Sequence, residues 1–270
     1  MNSAAYVYCL LGVLAREFRR FVQQRSRFLS SLVRPLLWLI VFAAGFRAAL
    51  GIAIIPPYET YITYEVYIAP GLIGIIILFN GMQSSLSMVY DREMGSMRVL
   101  LTSPLPRAYL LVCKLFAGAV VSLAQVYAFL LIARFFDVDP PLIGYVTVLP
   151  ATLLSALMLG ALGLLLASLI RQLENFAGVM NFVVFPLFFL SSALYPLWKM
   201  REASEVIYLI CALNPFTHAV ELIRFALYGQ FNPTAFWVTT GTTLVLTAAA
   251  VVGFDPGRGI LRLKGPPRAG

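Results

Sequence analysis

The chain holds few of the side chains from which catalytic centres are built. Among its 270 residues there is one histidine, His218, and there are three cysteines, Cys9, Cys113 and Cys211. A lone histidine excludes a multi-histidine metal site, and neither HExxH nor paired Cys/His spacing occurs. His218 reads as a satisfied polar group. The cysteines are scattered, with no CxxC pair and no disulfide framework, and read as small apolar packing residues. There is no GxxxxGK[ST] loop to cradle phosphate and no GxSxG elbow to present a nucleophilic serine. Charge is also scarce, at 12% of residues against about 25% in soluble domains. The expectation is a chain that is not an enzyme and carries no cofactor of its own.

What fills the sequence instead is apolar. Hydrophobic residues make up 60%, and the mean hydropathy is +0.86. In one soluble domain this much apolar sequence would leave large exposed patches, whereas a lipid solvent removes the problem. Crossing a hydrocarbon core of about 30 Å takes about 20 mostly apolar residues. Six stretches qualify, roughly 32–55, 67–88, 109–134, 142–170, 176–197 and 235–254. Backbone groups in lipid must pair internally, so continuous apolar runs read as helices, and the alternation of a membrane barrel is absent. The expected fold is an all-α membrane protein with six transmembrane helices. Residues 1–31 form an N-terminal amphipathic interfacial helix and 32–270 one membrane domain.

The net charge of +8 is distributed with a sidedness that argues against nucleic acid. Arg16, Arg19, Arg20, Arg25, Arg27 and Arg34 precede or open the first span. Arg92, Arg98, Arg107 and Lys114 lie around the second connection, Arg171 in the fourth, and Arg258, Arg262, Lys264 and Arg268 after the sixth span. Only Arg47, Arg134, Lys199, Arg201 and Arg224 fall on the other side. Basic residues concentrate on cytoplasmic loops, so both termini are expected in the cytoplasm, with the chain multi-pass in the cell inner (plasma) membrane.

Residues 4–30 carry an apolar stripe at helical spacing, including Val7, Leu11, Phe18 and Val22, opposite Arg16, Arg20, Gln23 and Arg27. That pattern suits the plane of a membrane surface. In the first outer loop, Tyr58, Tyr61, Tyr64 and Tyr67 suggest an interfacial aromatic belt, or a platform on which sugars stack. Between the last two spans, residues 206–213 and 214–227 are helix-compatible but too short to cross. They read as a re-entrant pair that protein must cover. Small residues in the fourth span, Ala156, Gly160, Gly163 and Ala167, indicate close helix packing. Polar residues inside membrane segments point to a substrate path: Asn80, Gln83, Ser84, Gln125 and Asn181. None forms the acidic relay of an ion carrier, which favours a hydrophobic or amphipathic substrate.

The most informative stretch is the polar insert at residues 90–107, set between two apolar runs. It holds Asp91-Arg92-Glu93, Gly95, Leu100-Leu101 and Ser103-Pro104, with Lys114 following. Its Met94, Met97, Val99, Leu100 and Leu101 offer an apolar face beside Arg92, Glu93 and Arg98. Such a face in a polar loop wants a partner. Together with the NPFTHAVELIR run at residues 214–224, these motifs resemble the permease subunits of type-2 ATP-binding-cassette exporters of the lipo-oligosaccharide, drug and polysaccharide kind. The resemblance covers nearly the whole chain.

That resemblance implies a homodimer or closely related pair of six-span subunits, with two cytosolic ATPase subunits on a separate chain that bind ATP and Mg. It implies ATPase coupling through Asp91, Arg92, Glu93, Gly95, Arg98, Leu101, Ser103 and Pro104, on a cytosolic coupling helix. The expected function is ATP-driven export of a hydrophobic or amphipathic substrate. The alternative is an ATP-independent channel or secondary transporter, which would want an acidic relay or an inverted repeat.

Overall fold

The computed structural model describes residues 3–23, 32–41, 56–58, 62–93, 105–170 and 172–254. These residues are all-helical, with no strand among them. In chain order the helices are α1 Ser3–Gln23, α2 Leu32–Val41, α3 Tyr64–Glu93, α4 Arg107–Ala133, α5 Leu142–Leu169, α6 Leu173–Phe189, α7 Leu197–Ala203, α8 Glu205–Leu213, α9 Pro215–Leu227 and α10 Pro233–Gly253. A 3-10 turn, Arg134–Phe136, extends α4.

Four of them are long and apolar enough to cross a bilayer: Tyr64–Asp91, Arg107–Phe136, Leu142–Leu169 and Pro233–Gly253. A fifth span is counted if α8 and α9, bent by 72° at their junction, are taken as one. The expected first span is seen only as α2, because residues 42–55 lie outside the described residues. The expected fifth, 176–197, is shorter than its apolar run. At 1.5 Å per residue, the 17 residues of α6 cover about 26 Å, and the chain then turns. The turn has a cause in a distant residue, Asn214. Its Nδ2 donates to the carbonyls of Leu187 at 2.8 Å and Leu190 at 2.6 Å, satisfying acceptors that the end of a helix leaves open.

Asparagine followed by proline starts two of these helices. Asn214 Oδ1 accepts from Phe216 N at 2.9 Å with Pro215 in the first turn of α9. Asn232 Oδ1 accepts from Ala235 N at 3.0 Å with Pro233 in the first turn of α10. The side chain occupies an otherwise orphaned N–H, and proline has no N–H to lose there.

Helix α3 is the hub. It packs against α5, α4, α6 and α9, and its Ile68, Leu72, Ile73 and Ile76 are wholly buried. Its crossing with α5 rests on glycines. A Cβ on Gly81 would meet the backbone of Gly160 at 3.1 Å, and one on Gly163 would meet Ser85 Oγ at 2.6 Å. The small-residue spacing expected to bring helices close therefore does so, and its partner surface is α3. Helix α10 packs on α5 and α9, leaving Leu244 and Val245 exposed.

The tyrosines of the first outer loop need correction. Tyr61 lies outside the described residues, but Tyr58, Tyr64 and Tyr67 are buried. They form neither a belt nor a stacking platform. Each hydroxyl instead satisfies a main-chain carbonyl: Tyr64 to Leu194 at 2.9 Å, Tyr67 to Ser192 at 2.9 Å and Tyr58 to Val66 at 3.4 Å. The last has a local reason. Pro70 sits inside α3 and has no N–H to give to the carbonyl four residues earlier, so Tyr58 supplies a donor. Burial holds the Tyr58 phenol well above its ordinary range, so it remains a donor.

Candidate functional site

Helix α3 delivers the insert. Its last turn carries Asp91 and Glu93, and each reaches a different helix. Asp91 Oδ2 lies 3.8 Å from Lys114 Nζ on α4. Lys114 is only 4% exposed, and its Nζ makes no hydrogen bond among the described residues. The ion pair gives the buried ammonium a counter-charge, and Glu17 on α1 is a second acid acting on it. Glu93 Oε2 accepts from the backbone N of Leu173, the first residue of α6, at 3.3 Å. First-turn N–H groups of a helix have no partner within it, and an anion is favoured there. The two acids thus join the end of α3 to the starts of α4 and α6. The side chain of Arg92, and Gly95, Arg98, Leu101, Ser103 and Pro104, lie outside the described residues.

Helix α1 docks on α4 at the same end. Tyr109 Oη donates to the Tyr6 carbonyl at 2.7 Å, and the two rings meet edge-on at 4.9 Å. With one flank on α4, α1 leaves Val7, Tyr8, Leu11, Phe18 and Val22 exposed. Arg16 and Arg19 are exposed as well; helical spacing puts Arg19 next to Tyr8 at the edge of the stripe and Arg16 on the side away from it.

Of the residues expected to line a path, the structure brings two together. Asn80 Nδ2 donates to Ser122 Oγ at 2.6 Å and to the Gly118 carbonyl at 3.3 Å, and Ser84 stands against Gly118. A crevice lined by Glu17, Arg20, Asn80, Ser84 and Gly118 meets one lined by Ser84, Ser85, Lys114, Gly118 and Ser122. Their volumes of about 20 Å³ and about 10 Å³ suit a water each, which needs roughly 10–15 Å³. Gln83 is half-buried. Gln125 is buried on α4, and its Oε1 has no hydrogen-bond partner among the described residues. Asn181 is exposed on α6, beside Phe182, and does not join the Asn80 crevice.

The far end of the bundle holds a cluster around Arg224, the outer-side cation that ends the NPFTHAVELIR run. Arg224 on α9 is 3% exposed. It pairs with Glu221, donates to the carbonyls of Ser192 at 2.9 Å and Tyr67 at 3.5 Å, and lies over the Tyr67 ring. Thr217 Oγ1 donates to the Cys211 carbonyl at 2.6 Å and accepts from Ser192 N at 3.3 Å. His218 Nε2 is 3.0 Å from the Ala212 carbonyl, the satisfied polar group expected of it. The NPxTxxxxxxR spacing thus clamps the bent α8–α9 pair to α3 and to the turn after α6. A signal was present in sequence: an arginine placed on the apolar face of a short helix.

Residues 8–228 match the ABC-2 type transporter family. The chain is 30% identical over 269 residues to ycf38 of Cyanophora paradoxa, a protein named as a candidate transport permease, covering 94% of this chain and 89% of that one. It is 29% identical over 218 residues to ycf38 of Porphyra purpurea, with 79% and 72% covered. Against ycf38 of Pyropia yezoensis it is 30% identical over 235 residues, with 84% and 77% covered. A family match across most of the chain, joined to several apolar helices, makes it a multi-pass membrane protein whose family works with an ATP-binding partner subunit. The chain belongs to the ABC-2 type transporter family, as a transport permease.

Proposed function

We propose that the chain is the permease subunit of an ATP-driven exporter. It moves a hydrophobic or amphipathic substrate, such as a lipid-linked saccharide or drug-like molecule, outward from the cytoplasm or inner leaflet. Two cytosolic ATPase subunits bind the ATP and Mg, and a second copy of the permease completes the path. The working topology has six spans in the cell inner (plasma) membrane, with both termini in the cytoplasm. Residues 1–31 serve as the interfacial element and 32–270 as the transport domain.

The observation that carries this reading is the double attachment of the α3 terminus. Asp91 is paired to Lys114 and Glu93 to the start of α6. A force on residues 94–104 would therefore reach three helices at once. The coupling helix is assigned to residues 92–102, with Asp91, Arg92, Glu93, Gly95, Arg98, Leu101, Ser103 and Pro104 as the ATPase-coupling residues. Closure of the ATPase pair shifts the permease population because the closed pair binds one permease state better than the other. Asn80, Gln83, Ser84, Gln125 and Asn181 are assigned to the substrate path, with Asn181 at its subunit-facing edge.

Co-purification in detergent with the candidate ATPase tests the proposal, comparing the native chain with a deletion of residues 92–98. Retention by the native chain and loss by the deletion is the expected result. If the native chain never holds an ATPase, the protein works as a channel or secondary transporter instead.

A further inference from the structure

A groove of about 270 Å³ lies between α5, α9 and α10, at the end of the bundle opposite the insert. Its floor is made of small or short side chains, Ala151, Leu222 and Ala226, all buried. Its walls are Pro150 on one side and Phe231 and Phe236 on the other. These rings continue to Trp237 through a tilted and then an edge-on contact, with centroids 5.4 Å and 5.2 Å apart in succession, and Phe231 and Trp237 are 65% and 69% exposed. Alanines opposite large rings are what leave the slot.

The polar groups at the groove are already engaged. Thr147 Oγ1 donates to the Ala226 carbonyl, and Gln230 Nε2 donates to the Pro57 carbonyl at 3.2 Å. Water has little to bind here, and apolar cavities stay dry although this one is many times the roughly 10–15 Å³ that a water needs. An empty slot would also forfeit dispersion contacts along its whole lining. The groove opens between two membrane-crossing helices, so the medium beside it is lipid. Trp237 lies next to the groove, against the outer side of its Phe236 wall, and tryptophan settles at the headgroup level of a bilayer.

We propose that this groove is a lipid-binding site that holds one acyl chain of a bilayer phospholipid. The chain runs over Ala151, Leu222 and Ala226, and the headgroup sits at the Gln230–Trp237 end. Membrane residence is all that the proposal requires; it stands whether or not an ATPase drives the protein.

Native mass spectrometry of the detergent-solubilised full chain, re-lipidated with a single phosphatidylglycerol species, tests it. The variant Pro150→Phe fills the groove from its exposed wall and restores a backbone N–H that proline lacks in α5. The wild type is expected to retain one phospholipid per chain, and Pro150→Phe to retain about tenfold less. Equal retention by both, or none by the wild type, overturns the proposal. So does a second protein chain, rather than a lipid, that is lost with the substitution. A phospholipid with a photoactivatable acyl chain supplies the check on the unaltered protein. Crosslinks should concentrate on Pro150, Leu154 and Phe236; even labelling of those residues and of Leu244 and Val245 on the open face of α10 refutes the site.

Discussion

The guanidinium of Arg224 lies 4.1 Å over the ring of Tyr67, 157 positions earlier in the chain. The contact joins the first third of the sequence to its last fifth and closes the far end of the bundle. Arg224 also meets Glu221 and the Ser192 carbonyl. Removing one member of a buried ion pair strands the other, at a cost of about 3–5 kcal/mol. Arg224→Ala is therefore expected to lower the melting temperature in detergent sharply. Arg224→Lys should recover only part, because an ammonium cannot stack on the ring and reach two acceptors as a planar fork does. A melting curve unchanged by Arg224→Ala would show the clamp to be idle.

The Asp91–Lys114 pair predicts an asymmetry. Asp91→Ala takes the paired carboxylate away from the buried Lys114 ammonium, whereas Lys114→Met removes the buried charge and leaves Asp91, whose side chain is 24% exposed, to be solvated. The first change is expected to cost several kcal/mol and the second little or nothing. Denaturation of the two variants side by side decides it, and the order of their stabilities is the reading. Transport should fall in both if the pair also transmits motion.

At the crossing of α3 and α5, size is limiting. Gly81→Val would press on the backbone of Gly160, which cannot swing aside as a side chain can. A cost of about 1–3 kcal/mol is expected from overpacking. Gly178 on α6 is the internal control, since a Cβ there meets nothing within 4 Å. Gly178→Ala should be neutral or stabilise by about 0.5–1 kcal/mol, the usual gain in a helix interior. Thermal unfolding monitored by circular dichroism compares them.

Glu93 acts on α6 from outside that helix. Its carboxylate accepts from Leu173 N, so Glu93→Ala should fray the first turn of α6 while leaving α3 intact. Hydrogen exchange at residues 173–176 is expected to accelerate in Glu93→Ala and to be largely restored in Glu93→Gln, which keeps an acceptor oxygen. Exchange equal to wild type in Glu93→Ala would assign that acid no part in holding α6.

Export itself offers the last test. The double change Glu93→Ala and Arg98→Ala is expected to leave ATP hydrolysis by the partner running while substrate efflux from proteoliposomes collapses. Efflux at the native rate would remove the coupling assignment from this segment.

What the sequence determined by itself was the solvent and the periodicity. Runs of twenty and more apolar residues suit a bilayer, and there an unbroken rather than alternating apolar run closes its backbone hydrogen bonds as a helix, so α3, α4, α5 and α10 were legible to within a few residues. The bent α8–α9 pair was legible too, because Asn214-Pro215 divides that stretch into two pieces each too short to cross. The insert between α3 and α4 was visible as polarity between two spans, and the family it resembles is the one to which the chain belongs. Only the tertiary structure decided which polar groups meet. Tyrosine hydroxyls look alike at an interface and in a core, since the side chain is apolar along its body and polar at its tip. Burial of Tyr64 and Tyr67 against carbonyls depends on where the turn after α6 lies, and that of Tyr58 on how its loop returns to α3. Asp91 and Lys114 are 23 positions apart and Glu93 and Leu173 are 80 apart. No local spacing encodes such partners. They are chosen by how α4 and α6 pack around α3, just as the glycines that let α3 approach α5 show their importance only when the opposing helix is beside them.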